Sequence, residues 1–597
     1  MKITYLFPFA LFMLLLALMI ELPDLRHCAL PSEIGASGRA DGKDILIVCA
    51  ISLAYAVVAF IGLGSDSAPQ SFVLMNAKTL EFELSGEEYP SKIMYYSGVG
   101  SGRYRIDFSV DGASWEGNEE FTQEYADVLK WNESFPTAKT LPKYVRISGI
   151  GEEYLGEIAM FNGDGERITL APCGDDLALS ALLLDEPDTV VTKADYLNSS
   201  YFDEIYHART AWEYMNTIRP YETSHPPLGK LIISLGVRLF GMTPFGWRFM
   251  GTLFGVLMLP LMYLFIQKLF GGHIVPTVCT IVFASDFMHY VQTRIATIDT
   301  YGVFFTLLMY FFMYLFIEEE ENAHSRRSLL YLALSGVSFG LGAASKWTGF
   351  YAGAGLAVIW ALFWVFHRER GFAAFAKNAL FCLVFFVLVP ALIYYVSYYD
   401  HVASYGIEGI GAFFKKEYFR LVWENQELMF SYHSGLSATH PYSSNWYQWI
   451  LDIRPILYYL EYFDDGTRSS FGAFVNPALC WGGLLSLFVL LFMAIRRHDR
   501  TALFLLIAYF AQLVPWMFIT RVTFEYHYFP CTIFLITALG YVFKLITDSN
   551  RFHKIYLGGF ALVSILLFVL FYPALSGKPV DNAMASKLFG WLPTWPL

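Results

Sequence analysis

Apolar residues in this chain fall in long unbroken blocks separated by short charged connections, and one stretch departs from that rhythm. A helix that crosses a bilayer needs about 20 apolar residues. Blocks of that size lie at 3–22, 45–64, 246–269, 273–291, 300–317, 329–345, 348–366, 375–397, 476–495, 502–520, 527–546 and 555–573. The exception is 70–170, where apolar and polar residues alternate in Tyr104-Arg105-Ile106-Asp107-Phe108-Ser109-Val110, turn at Asp111-Gly112, and alternate again in Tyr144-Val145-Arg146-Ile147. Period-two runs punctuated by Gly, Asp and Pro predict a β-sandwich. The expected fold class is a polytopic α-helical membrane protein that carries a β-sandwich domain.

Charge orients this arrangement. Alternate connections carry Arg326/Arg327, Arg368/Arg370, Arg496/Arg497/Arg500 and Lys544/Arg551/Lys554, and cytoplasmic loops are the ones enriched in Lys and Arg. Residues 65–245, 398–475 and the C-terminal tail are therefore expected outside the cytoplasm. The block 3–22 resembles a signal peptide, but its removal would reverse that parity, so a retained helix is expected. Composition agrees with a membrane location: 55% of residues are hydrophobic, 18% aromatic, and mean hydropathy is +0.43. The net charge of −12 is concentrated between Asp66 and Asp195, which hold 24 acidic and 10 basic residues. An acidic external domain excludes nucleic acid as a partner, which requires a basic footprint. The seven cysteines, Cys28, Cys49, Cys173, Cys279, Cys382, Cys480 and Cys531, form neither a disulfide framework nor a metal-binding spacing.

Candidate chemistry gathers at the expected outer face. Asp203 and Glu204 stand between Tyr201, Phe202 and Tyr206, shortly before His225-Pro226-Pro227-Leu228-Gly229-Lys230. An acidic pair suits the start of a helix through the macrodipole; it also suits removal of a proton from an attacking hydroxyl. Two prolines stiffen the turn and begin a helix, fixing His225 and aiming Lys230, and residues 226–240 read as an amphipathic helix on the outer surface. Asp286, Arg294, Asp299, Lys346 and Arg521 all fall near the same membrane boundary. Each cation could snorkel at a helix end, yet Arg294, Lys346, Arg521 and Lys230 on one face also describe an anion site for phosphate.

The Asp-Glu pair, HPPLGK at 225–230, PFGWR at 244–248, RIATID at 294–299, SKWTG at 345–349, HPYSSNW at 440–446, and Pro515-Trp516 with Arg521 and FEYHYFP at 524–530 together resemble the protein O-mannosyltransferase family. The resemblance implies an integral-membrane glycosyltransferase of the C type, with an eleven-helix core to which 3–22 is an addition. It implies transfer of a sugar, mannose foremost, from a polyprenyl-phosphate carrier to a protein Ser/Thr hydroxyl outside the cytoplasm, with inversion. Asp203 becomes the general base and Glu204 its helper. Arg294, Lys346, Lys230 and Arg521 hold the donor phosphate, and His225, Tyr206, Asp299, His440 and His527 complete the site. The chain departs from the eukaryotic pattern in lacking a long external insertion in 398–475. It also carries in 65–192 a domain that resembles a discoidin or galactose-binding-like jelly roll, with Trp115 expected in its core.

The domain order read from the chain is thus two N-terminal helices (1–64), the sandwich (65–192), a catalytic external loop (193–245), membrane helices (246–397), an external loop (398–475), and C-terminal helices with a tail (476–597). No cofactor and no metal are expected, since the leaving phosphate departs as an anion and no His/Cys ligand set is evident. The expected partners are the lipid-linked sugar as co-substrate, an acceptor protein or surface polymer, and membrane lipids, with a dimer left open. Two alternatives remain: transfer to a lipid or cell-wall polymer, and a transporter or sugar-binding surface receptor. A transporter places polar groups at mid-membrane, whereas the charged motifs here gather at one face.

Overall fold

The computed structural model describes residues 10, 11, 13 and 15, and then 40–86, 88–136, 140–321 and 325–597. The chain divides into two compact units, one formed by Gly62–Asn216 with Ile232–Met250 and the other by Met1–Ile61, Thr217–Leu231 and Gly251–Leu597.

Among the described residues, 10 helices are long and apolar enough to span a bilayer, and a bent pair raises this to 11. They coincide with the expected segments from 45–64 onward, and the protein is a multi-pass membrane protein. The expected helix 3–22 lies outside the described residues except for residues 10, 11, 13 and 15, as does Cys28; the remaining six cysteines are all free. The segment expected at 273–291 is broken: Ile274–Ala284 and Phe287–Thr293 meet at 56°. Side chains stabilise the break. Asn476 Nδ2 donates to the Ser285 carbonyl at 2.8 Å, and Asp286 caps the second piece by accepting from His289 N at 3.0 Å. Asp286, expected among the boundary charges, is therefore a helix cap.

Close backbone approach joins helix Ser325–Ser345 to Phe372–Leu383 and its continuation Val389–Ser397, with a π-turn at Val384–Leu388 between them. A Cβ on Gly336 would lie 2.1 Å from the Phe385 carbonyl oxygen, and one on Gly340 would lie 2.8 Å from Pro390 Cα. Small residues four apart permit such contact between membrane helices. The cation-rich connections assemble at one end of this unit. Arg370 pairs with Glu320, His367 meets Glu321 at 2.9 Å, and Arg500 meets the same Glu321 at 3.4 Å.

The other unit holds the sandwich. Its strands are β1 (Val73–Leu74), β2 (Thr79–Leu84), β3 (Lys92–Ser97), β4 (Gly102–Ser109), β5 (Glu116–Gln123), β6 (Lys130–Ser134), β7 (Tyr144–Gly151), β8 (Tyr154–Phe161), β9 (Arg167–Ile168) and β10 (Leu170–Cys173). One five-stranded sheet runs β1-β8-β3-β6 with β9 on β8, and the other runs β10-β2-β7-β4-β5. Inward residues of alternating strands, among them Leu80, Phe82, Ile106, Ile147 and Ile158, form the core. Trp115, expected in that core, is instead half-buried beside it, with the Arg146 guanidinium 4.5 Å above its ring. Arg146 is held there by Asp107, which also accepts from Arg105.

Candidate active site

In the sandwich unit, helix Glu204–Met215 begins at Asp203. Phe202 before it takes φ of +47°, a left-handed conformation that is costly for a bulky residue. Asp203 is half-buried and does not spend its carboxylate on capping its own helix. Its neighbour differs. Glu204 is fully buried and receives Arg248 Nε and Nη2, each at 2.7 Å, in a two-pronged pair. Arg248 also donates to the Leu63 and Ser199 carbonyls at 2.9 Å and lies over the Tyr201 ring. Arg248 thus ties Leu63, Ser199 and Glu204 of the unit together, with the Glu204 carboxylate as its two-pronged acceptor. Tyr206 stacks on Tyr125, with ring centroids 6.2 Å apart.

In the membrane unit, the His-Pro-Pro turn is built around Glu222, which the sequence reading did not single out. One carboxylate oxygen accepts from Ser224 N, Ser224 Oγ and His225 Nδ1, and the other accepts from Lys230 Nζ at 2.5 Å. Lys230 is fully buried, and its two further donors go to the Glu222 and His225 carbonyls. All three ammonium donors are used within the turn, where Lys230 shapes the loop. Gly229 permits the packing: a Cβ there would lie 2.7 Å from Ile298 Cγ2.

Arg294 also has another task. Its Nη1 reaches the Ala59 and Ile61 carbonyls at 2.9 Å and Tyr290 Oη at 2.7 Å. The last carbonyls of a helix lack intrahelical partners, and Arg294 satisfies those at the end of Gly42–Phe60.

Two of the four expected phosphate ligands do share a cavity. Lys346 and Arg521 line a space of about 270 Å³ with His225, Trp347, His433 and Trp516. Lys346 Nζ is paired with Asp299 at 2.5 Å and lies 5.4 Å from the Tyr526 ring centre. Arg521 donates to the Val522 carbonyl and has no carboxylate partner among the described residues. With Lys346 neutralised by Asp299, Arg521 supplies the cavity's net positive charge.

His433 is the principal lining residue that the sequence reading missed. Its Nε2 donates to the Ser224 carbonyl at 2.8 Å, and its ring meets that of His225 edge-on at 5.2 Å. Burial, reinforced by the nearby Arg521 charge, lowers its pKa to about 4. It is neutral at pH 7, with Nδ1 a buried acceptor lacking a partner. His527 is sandwiched among Trp449, Trp516 and Tyr526, behind the wall to which Trp516 belongs. His440 accepts from Tyr442 N and packs on Phe524; burial lowers its pKa.

One group among the described residues has the spacing of a cation site: Asp41, Asp44 and His273. Its lone pairs have other work. Asp41 and Asp44 form a reciprocal capping box for Gly42–Phe60, and Asp44 accepts from Tyr263 Oη at 2.6 Å and from His273 Nδ1 at 2.7 Å. The group is a helix cap.

Comparison with known proteins follows the same segments. Residues 189–247 and 240–405 match the family model for dolichyl-phosphate-mannose-protein mannosyltransferase, and residues 418–595 match that for the C-terminal four-transmembrane region of protein O-mannosyltransferase. A polyprenol-phosphate-mannose–protein mannosyltransferase of Mycobacterium tuberculosis is 24% identical over 457 residues, 66% of this chain and 86% of its own length. Dolichyl-phosphate-mannose–protein mannosyltransferase 1 of Saccharomyces cerevisiae is 27% identical over 255 residues, 39% of this chain and 30% of its own. Among solved structures, a Saccharomyces cerevisiae protein O-mannosyltransferase complex bound to the sugar donor aligns with a TM-score of 0.58 at 15% identity. That alignment covers 67% of this chain and 90% of the other, and establishes a shared fold.

Proposed function

We propose, since the chain belongs to the protein O-mannosyltransferase family, that it moves mannose from a polyprenyl-phosphate carrier to a Ser or Thr hydroxyl of a protein outside the cytoplasm. The protein is a membrane-embedded glycosyltransferase. The observation that carries the donor assignment is the cavity in which Arg521, without a carboxylate partner among the described residues, stands beside Lys346 and aromatic walls. A guanidinium can grip a phosphate through two parallel hydrogen bonds, and indole faces suit the apolar face of a sugar.

In this reading the acceptor oxygen bonds to the anomeric carbon as the bond from that carbon to the phosphate oxygen breaks, inverting the centre. The hydroxyl proton passes to Asp203, and the electron pair leaves on the phosphate. Arg521 and Lys346 stabilise the charge that grows on the leaving group. The phosphate is an anion before and after departure, so neither a metal nor a further cofactor is called for. Glu204 and Lys230 act indirectly, the first by fixing the start of the helix that Asp203 begins, the second by fixing the turn that carries His225.

The test uses membranes supplied with radiolabelled polyprenyl-phosphate mannose and acceptor peptides. Asp203→Asn is expected to lower turnover by about 10²–10⁴, the usual contribution of a general base, while donor binding persists. Near-normal turnover at saturating donor would remove Asp203 from this role, and label entering lipid or polymer but no Ser/Thr peptide would replace the protein acceptor.

A further inference from the structure

Helix Lys416–Gly435 presents two different faces. Tyr418, Leu421, Val422, Asn425 and Met429 are buried, and they pack across the upper part of the spanning segment Phe372–Ala403: Tyr398 Oη donates to Asn425 Oδ1 at 2.8 Å, and Tyr394 Oη to Gln426 Oε1 at 2.6 Å. About a third of a turn around the helix from them, Phe419, Trp423 and Phe430 share one stripe, at spacings of four and seven residues that bring them to nearly the same helical angle. These three are 60%, 56% and 69% exposed. The 3₁₀ turn Ile410–Phe414 just before the helix adds Ile410 at 84% and Phe414 at 88%.

So large an aromatic surface left in water would be a liability. Its position says what covers it. The spanning segment below is itself lipid-facing, with only 6% of its apolar window buried. Its exposed Leu388, Leu392 and Val396 continue the apolar surface toward the segment's end at Ala403. Aromatic side chains concentrate where a membrane meets water, and an apolar helical face can lie in that interface. We propose that Ile410–Phe414 and the Phe419/Trp423/Phe430 stripe lie in the headgroup region of the bilayer, as an interfacial anchor continuous with the lipid-facing side of Phe372–Ala403. The occupant of the stripe is thus lipid, not a second copy of the chain. Phe430 also lines the cavity of Lys346 and Arg521, so the bilayer surface reaches the cavity's edge.

Hydroxyl-radical footprinting of the unmodified protein, reconstituted one chain per lipid nanodisc, tests this without reference to activity. Tyr447 and Tyr462, at 53% and 59% exposure in the same loop region, are the water-facing standards. Trp423 and Phe419 are expected to oxidise severalfold less than their exposure predicts from those standards, and a photoactivatable phospholipid is expected to leave adducts within 410–430. Oxidation of Trp423 in proportion to its exposure, with no lipid adducts in that segment, overturns the proposal. Protection that appears only when two chains share a disc overturns it in favour of self-association.

Discussion

Two sets of cations in this membrane protein differ in what surrounds them. Lys230, Arg248 and Arg294 are buried against carboxylates and backbone carbonyls of their own units. Lys346 and Arg521 line a cavity, and the second has no carboxylate partner among the described residues. From sequence the two sets look alike, since each contains a basic residue at the end of an apolar block. What separates them is whether donors remain for something other than the protein itself. A buried ion needs partners wherever it sits, and only one left facing open volume can offer donors to a substrate anion.

The largest effect that would break this contrast is expected at Arg248. Removing one partner of a buried ion pair leaves the other uncompensated, at about 3–5 kcal/mol. Arg248→Met is therefore expected to lower the unfolding midpoint in detergent sharply, and Glu204→Gln in the same chain should restore much of the loss. An Arg248→Met protein as stable as wild type would mean that Glu204 is not committed to Arg248 and would return it to the candidate catalytic pair.

A smaller, more selective effect is expected in the cavity. A hydrogen bond to a charged group is worth about 1.5–3 kcal/mol, and each 1.4 kcal/mol is about tenfold in affinity. Arg521→Ala should raise the donor concentration needed for half-maximal rate by roughly ten- to a hundredfold on that scale, with Arg521→Lys between. Arg294→Lys should leave donor dependence unchanged and lower the unfolding midpoint, because lysine cannot span the Ala59 and Ile61 carbonyls as the guanidinium does. Initial rates in nanodiscs against lipid-linked donor decide the matter; weakened donor use by Arg294→Lys would put that residue back in the site.

The fold was legible where periodicity governs it. The membrane segments from 45–64 onward and the sandwich follow from apolar block length and alternation, because burial in lipid or between two sheets imposes those patterns directly. Pairings between distant segments were not legible. Glu204 finds Arg248 forty-four positions away, and His433 finds Ser224 across two hundred and nine. No local spacing encodes such contacts, although Arg248 stood inside the quoted PFGWR motif. Glu222 was within reach: an acid three residues before a histidine and eight before a lysine, in a proline-stiffened turn, is a local signal. The break at Ser285–Asp286 stayed hidden for the opposite reason, since 273–291 has the length and composition of an unbroken span and only Asn476, far along the chain, reveals that the Ser285 carbonyl has left the helix.

The smallest expected effect concerns His433, which shares the cavity with the cations yet carries no charge. Its folded pKa of about 4 lies below the ordinary histidine value of 6.5. Between those values the unfolded chain holds a proton on this residue that the folded chain does not, so this contribution to stability is present above pH 6.5 and lost as pH falls toward 4. The ring is only partly buried, so solvent screening reduces the effect. His433→Gln retains an amide that can donate to the Ser224 carbonyl but has no titrating proton. Unfolding midpoints followed from pH 7 to pH 4.5 should fall less steeply for this variant than for wild type, while donor dependence at pH 7 changes little. Parallel slopes would mean that His433 titrates near its ordinary value and is charged in mildly acidic solution, adding a third cation to the cavity and weakening the distinction between a site with donors to spare and a frame that uses its own.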